Sequence, residues 1–346
     1  METSRIEVLQ GALVGTAVGD SLGLPYEGMS RRRVRRMVGG RRLRHRFALG
    51  RGMVSDDTDH ACLVALALLR AQGDSQVFAR VLARSLRWWL AGLPAGVGLG
   101  TLRAILKLWV GFGADRSGVW SAGNGPAMRA PIIGAYASGD RALREELVRA
   151  STRVTHADPK AEQGARAVAA VAAYACGCGG ELDATAVLAR ACDEVDDEEL
   201  RGRLLVARDM VGRPTHEVVR RWDLGEGITG YIYDTVPAVL HCWTRHRGAI
   251  EPALQEIVEC GGDTDTTGAI LGGLAGATHG VGGIPEDWRG GIVAWPRSVS
   301  WMTRLGEALA TGAKAPRYFL PGTLLRNAAF LIAVYGQIVR RAFPPY

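Results

Sequence analysis

Apolar residues recur every three or four positions through most of the chain, the spacing that lines them along one face of an α-helix. ACLVALALLRAQ (61–72), QVFARVLARSLRWWLAG (76–92) and LREELVRASTRV (143–154) carry this pattern and predict amphipathic helices. EQGARAVAAVAAYACG (162–177) is so rich in alanine that a helix packed on two sides is expected. IEPALQEIVECGG (250–262) and the small-residue run TTGAILGGLAGATHG (266–280) continue the series. No stretch alternates apolar and polar residues and then closes on a hairpin dipeptide. With neither a clean linker nor a short-period repeat, residues 1–346 read as one all-α domain.

Composition narrows the class. Hydrophobic residues make up 47% and charged residues 22%, which suits a globular core and excludes a disordered or fibrous chain. The net charge of +7 is unevenly spread: residues 31–51 hold ten arginines and no acid. An Arg-rich loop insert over 29–52 is expected, either a solvated basic surface or one that attracts a phosphate-rich substrate or nucleic acid. Six cysteines form no CxxC pair, and Cys176 and Cys178 have no second cluster at zinc-finger spacing. They read as free thiols in a reducing compartment. The first apolar run is too short and glycine-rich for a signal peptide, so a cytoplasmic location is expected. NAAFLIAVYGQIV (327–339) is free of charge but shorter than the ~20 residues of a membrane span. It predicts a docking helix within 316–346, with no membrane partner.

Polar residues gather where loops run into helices. Ser55, Asp56, Asp57 and Thr58 precede one apolar helix, and Asp263, Asp265, Thr266 and Thr267 precede another. Capping a first turn takes one such side chain, or two. Carboxylates as close as Asp263 and Asp265 repel unless a positive charge sits beside them. Clusters of carboxylates and hydroxyls without His or Cys suit Mg²⁺, Mn²⁺ or Ca²⁺. An EF-hand starting at Asp263 would need Glu at its twelfth position, where Leu274 stands. Phosphotransferases of the haloacid dehalogenase type also use Asp-x-Asp-x-Thr, but at the end of a strand, whereas Gly261 and Gly262 follow the helix-like EIVEC here. Pure capping stays open on the junctions alone.

Three further segments add to the two junctions. GALVGTAVGDSLGLPYEG (11–28) pairs small residues with Asp20 and Glu27. SAGNGPAMRAP (121–131) can turn the amides of Gly123, Asn124 and Gly125 inward as an anion cradle. Thr155-His156 supplies an imidazole. In this order, GDSLGLPYE, SDDT, GNGPAMR, TH and GGDTDT resemble the ADP-ribosylglycohydrolase family, over Gly11 to about Gly280.

The resemblance implies an orthogonal helical bundle around a dimetal centre of two Mg²⁺, or Mn²⁺. It implies that Ser55, Asp56, Asp57, Asp263, Asp265 and Thr266 are the metal ligands. Ser55 stands where the family more often has Thr. Glu27 matches a mobile catalytic acid, and Glu27 or Asp57 would be the base that activates water. Ser121, Gly123, Asn124, Gly125 and Met128 match the segment that wraps the diphosphate and distal ribose, and His156 matches a substrate-binding histidine. The implied function is hydrolysis of the glycosidic bond at ribose C1″, which releases ADP-ribose from a protein, nucleic acid or small conjugate, by a monomeric enzyme. The alternatives are a non-catalytic ADP-ribose- or nucleic-acid-binding module and a structural relative.

Overall fold

A computed structural model describes residues 4–179, 182–341 and 343 of the chain. Among them are seventeen α-helices and two 3₁₀ turns, and extended backbone is confined to isolated bridges. Eight of the seventeen helices begin at a short polar side chain that caps them: Ser4, Ser55, Asp74, Asp140, Asp158, Asp183, Asp197 and Ser298 each accept a hydrogen bond from a first-turn amide.

The centre of the fold is an antiparallel pair, Arg5–Gly23 against Thr264–His279. Glycines at 11, 15, 19 and 23 form a stripe on the first helix and meet Gly276, Gly272, Gly268 and the Thr264 backbone. A Cβ at Gly19 would lie 1.8 Å from the Gly268 carbonyl oxygen, and one at Gly15 would lie 2.1 Å from that of Gly272. The backbones therefore touch directly. Because the pair is antiparallel, the last turn of the first helix meets the first turn of the Thr264 helix. That is where the acids of both segments lie. Helices Asp56–Ala71, Gly125–Tyr136 and Val299–Thr311 pack around this pair, and Pro159–Ala175 covers Gly125–Tyr136. One continuous core of aliphatic and aromatic side chains joins them.

Two expected features differ in detail. The basic segment 29–52 is not a loop throughout: Arg31–Val38 is a two-turn helix with Val34 and Val38 buried. Leu43, His45 and Phe47 beyond it are buried as well. His45 Nδ1 lies 3.0 Å from Ser21 Oγ, and its Nε2 lies 2.7 Å from the Trp288 carbonyl. Apolar anchors every few residues hold the segment down while most of its arginines are exposed. The C-terminal helix spans Leu320–Arg341, 22 residues against the 13-residue run that predicted it. By length and composition it is long and apolar enough to cross a membrane.

Candidate active site

The Asp56–Ala71 helix owes its start to a buried acid on another element. Asp20 accepts from the Ser55 amide at 2.9 Å, the Thr58 amide at 3.2 Å and the Thr58 hydroxyl at 2.5 Å. Ser55 Oγ caps the Asp57 amide at 3.2 Å and donates to Asp57 Oδ2 at 3.0 Å. In the sequence Asp20 stands out only as an acid in mid-segment. Its position in GDSLG was the available signal, but its partners lie 35 and 38 residues away.

The second junction is set by two glycines. Gly261 and Gly262 adopt φ of +76° and +85°, where a side chain is strained. A Cβ at Gly262 would also lie 2.0 Å from the Ile228 carbonyl oxygen. This tight passage lets Gly262 exchange backbone hydrogen bonds with Gly28 and Met29 at 2.8 Å each, while the Asp263 amide donates to Ile228 O at 2.8 Å. The loop bearing Glu27 is thereby tied beside Asp263. Thr264 Oγ1 donates to the Gly23 carbonyl at 2.9 Å and closes the corner.

The two helix starts meet: Thr266 Oγ1 donates to Asp57 Oδ2 at 3.3 Å. Ser55, Asp57, Asp265 and Thr266 are buried, Asp56 and Asp263 are half-buried, and Glu27 is exposed on the open side. Burial pushes the Asp57 carboxyl well above the usual carboxylate range, and Asp56, Asp20 and Asp263 push the same way. Asp265 is raised by burial and then by Glu27, Asp263 and Asp57, and Asp56 by burial and then by Asp20, Asp59 and Glu27. Asp57 Oδ1 and Asp265 Oδ1 are buried without a hydrogen-bond partner. Orphaned acceptors and mutual repulsion at one spot are what a bound cation relieves. The donor set, carboxylates and hydroxyls only, fits a hard divalent ion.

Of the other predicted residues, Asn124 touches the acidic cluster directly. Asn124 Nδ2 donates to Asp263 Oδ2 at 2.6 Å and to Thr235 Oγ1 at 3.0 Å, so it also holds a carboxylate in place. Ser121 Oγ accepts from the Gly123 amide at 3.4 Å, and Met128 is buried behind the loop. Gly123 and Gly125 curl over His156: a Cβ on them would lie 3.2 Å from His156 Nε2 and 3.1 Å from its Cε1. His156 Nδ1 is 2.9 Å from Thr155 Oγ1, which accepts from buried Arg129 at 2.7 Å. Burial and then the Arg129 guanidinium push the imidazole down to about 3, so it is neutral at physiological pH. The stretch 226–230 was not singled out in the sequence, yet Glu226, Thr229 and Gly230 line an open cleft of about 460 Å³ with Glu27 and Asp263.

The family profile described as ADP-ribosylglycohydrolase matches residues 1–318. The chain is 32% identical over 291 residues to an uncharacterized protein of Archaeoglobus fulgidus, covering 83% of this chain and 92% of that one. It is 31% identical over 287 residues to the ADP-ribosyl-[dinitrogen reductase] glycohydrolase of Rhodospirillum rubrum, with 80% and 87% covered. A solved structure titled ADP-ribosylglycohydrolase-related protein complex superposes with a TM-score of 0.66 at 26% identity, covering 90% of this chain and 99% of that chain.

Proposed function

The chain belongs to the ADP-ribosylglycohydrolase family, and from that premise we propose that it is a divalent-cation-dependent hydrolase that cleaves the C1″ glycosidic bond of ADP-ribosylated targets and releases ADP-ribose. The observation that carries the reading is the meeting of two acidic helix starts around orphaned buried carboxylate oxygens of Asp57 and Asp265. Mg²⁺ or Mn²⁺ would be held by Ser55, Asp56, Asp57, Asp263, Asp265 and Thr266. When bound, the ions would supply positive charge against the distal ribose hydroxyls and the charge that develops as the bond breaks.

The protein's own groups divide the remaining work. The Ser121–Gly125 turn and the neutral His156 imidazole orient the nucleotide: the glycines let the phosphates approach the backbone, and the imidazole offers a hydrogen bond without adding a charge. Asn124 holds Asp263 in register. Glu27 lines the open side of the cluster and takes the proton of the attacking water, whose oxygen bonds to C1″ as the bond to the target breaks. Asp57 is the alternative base. The leaving group departs with a proton, so the products are ADP-ribose and the unmodified target.

The test is release of ADP-ribose from arginine-linked, serine-linked and nucleic-acid-phosphate-linked conjugates with Mg²⁺, Mn²⁺ or EDTA. It is paired with calorimetric titration of Mg²⁺ into the wild type and into Asp57→Ala and Asp263→Ala. Cation-dependent release, with both release and heat lost in the variants, supports the reading and names the linkage. Release that persists in EDTA and in both variants would overturn it.

A further inference from the structure

The C-terminal helix lies outside the region that defines the family, which ends at residue 318. Its inner stripe is polar and well used: Arg326 donates to the Val54 carbonyl, Asn327 Nδ2 to Gly92 O at 2.6 Å and Gln337 Nε2 to Phe47 O at 2.5 Å, with Phe330 stacked on Phe47. Its outer side is the reverse of a normal surface helix. Leu324, Leu325, Leu331, Ile332, Tyr335 and Ile338 all face outward, with Leu325, Ile332 and Tyr335 at least 65% exposed. From Leu320 to Val339 the exposed residues carry no charge, a stretch of about 30 Å at 1.5 Å per residue. Monomeric proteins rarely leave so continuous an apolar strip in water.

Charge says what covers it. Downstream of Glu307 the sequence has no acid. Exposed Lys314 and Arg317 precede the helix, and exposed Arg340 lies in its last turn. Arg340 shares a cleft with Arg44, Arg51 and the fully exposed Leu49 of the basic segment. The acid of that cleft, Asp287, is engaged by Arg42 at 2.5 Å. A second copy of the chain laid along the helix would bring a basic end against a basic end in either direction, with Glu307 the lone acid beside Arg304, Lys314 and Arg317. An apolar strip between basic ends complements an anionic phospholipid surface instead.

We propose that the helix Leu320–Arg341 and the Arg44–Arg51 segment together dock the protein on anionic bilayers, the helix lying in the plane of the interface. The inner stripe stays on the domain, since insertion across the bilayer would strip Arg326 from Val54 and from Asp59, which it pairs at 3.6 Å. Leucines and isoleucine enter the acyl boundary, and the arginines meet lipid phosphates.

Flotation of the full-length chain tests this, with neutral phosphatidylcholine vesicles and with vesicles containing about one-third phosphatidylglycerol, at about 0.05 and about 0.5 M salt. The wild type should float with the anionic vesicles alone and be released by salt. Ile332→Glu/Tyr335→Glu should weaken flotation more than tenfold. Arg44→Gln/Arg340→Gln should weaken it by roughly 25-fold, about fivefold for each arginine lost. Far-UV circular dichroism and urea midpoints confirm that the variants fold. Flotation indifferent to lipid charge, or unchanged in both variants, overturns the proposal. So does a protein that does not float but forms a dimer, dissolved by Ile332→Glu/Tyr335→Glu, because a second copy then covers the face.

Discussion

Asp20 tests whether the site is assembled by the buried capping acid or merely accompanied by it. Replacing it by alanine leaves three donors without an acceptor: the Ser55 amide, the Thr58 amide and the Thr58 hydroxyl. An orphaned buried donor costs ~1–3 kcal/mol, and a water drawn into the vacated space satisfies part of the set. The expected loss for Asp20→Ala is therefore about 3–6 kcal/mol. Asp20→Asn keeps one carbonyl oxygen but turns an amide toward a donor, so about 1–3 kcal/mol is expected. Urea unfolding followed by tryptophan fluorescence in EDTA reads both values without a contribution from bound cation. A second readout separates a cap from a bystander: Ser55 and Asp57 are oriented by the turn Asp20 holds, so Mg²⁺ affinity should fall in the same order as stability. If both variants unfold within 1 kcal/mol of the wild type, or bind Mg²⁺ unchanged, the acid does not assemble the site.

Four other outcomes follow from the same geometry. Gly19→Ala drives a methyl to 1.8 Å from the Gly268 oxygen, so the central helices must separate, at about 3 kcal/mol or more by thermal or urea unfolding. Asp265→Asn removes one of several mutually repelling carboxyls and should raise stability in EDTA by about 1 kcal/mol while abolishing ADP-ribose release, a trade of stability against function. Gly123→Ala places a Cβ 3.2 Å from His156 Nε2 and should weaken ADP-ribose binding by calorimetry roughly tenfold, without changing the free energy of urea unfolding by more than about 1 kcal/mol. Burial pushes the Glu256 carboxyl up, but His246 at 2.6 Å and the Thr215 amide at 2.5 Å outweigh it and hold the group at about 2. A depressed carboxyl stabilises the fold above the unfolded pKa and loses that contribution as pH falls through the folded one, so Glu256→Gln should flatten the fall in stability between about pH 4.5 and pH 2, worth roughly 2–3 kcal/mol.

What could be read in advance was local, and what could not depended on partners far along the chain. The helices at 61–72, 76–92, 143–154 and 162–177 were legible because each carries its own period, and the structure places helices at Asp56–Ala71, Ser75–Ala91, Arg141–Arg153 and Pro159–Ala175. The acid-rich junctions were legible because Ser, Asp and Thr exceed what a cap consumes. Nothing local says that Gly261 and Gly262 are needed to pass Ile228, or that Asp20 caps a turn 35 residues on; both facts belong to the contact, not to either strand of sequence. The short Arg31–Val38 helix was hidden because two valines among five arginines make too brief a period against so strong a polar signal.

The C-terminal helix shows the same limit from the opposite side. Arg326 looks like a boundary when charge is taken to end an apolar segment, so the charge-free run starts at 327, inside the wider 316–346 over which the docking helix is expected. In the folded chain Arg326 turns inward and pairs with Asp59, so the helix continues past it to Leu320. Asp59 lies one turn into the helix whose start carries Ser55, Asp56 and Asp57, and Arg297 holds the same carboxylate at 2.9 Å. Burial pushes the Asp59 carboxyl up, but the two guanidiniums bring it below the usual range. A charge that seemed to limit an apolar surface helix is thus the link by which that helix is bolted to the base of the acidic cluster. Whatever covers the outer side of Leu320–Arg341 bears, through Arg326, on the element that presents three of the six proposed cation ligands.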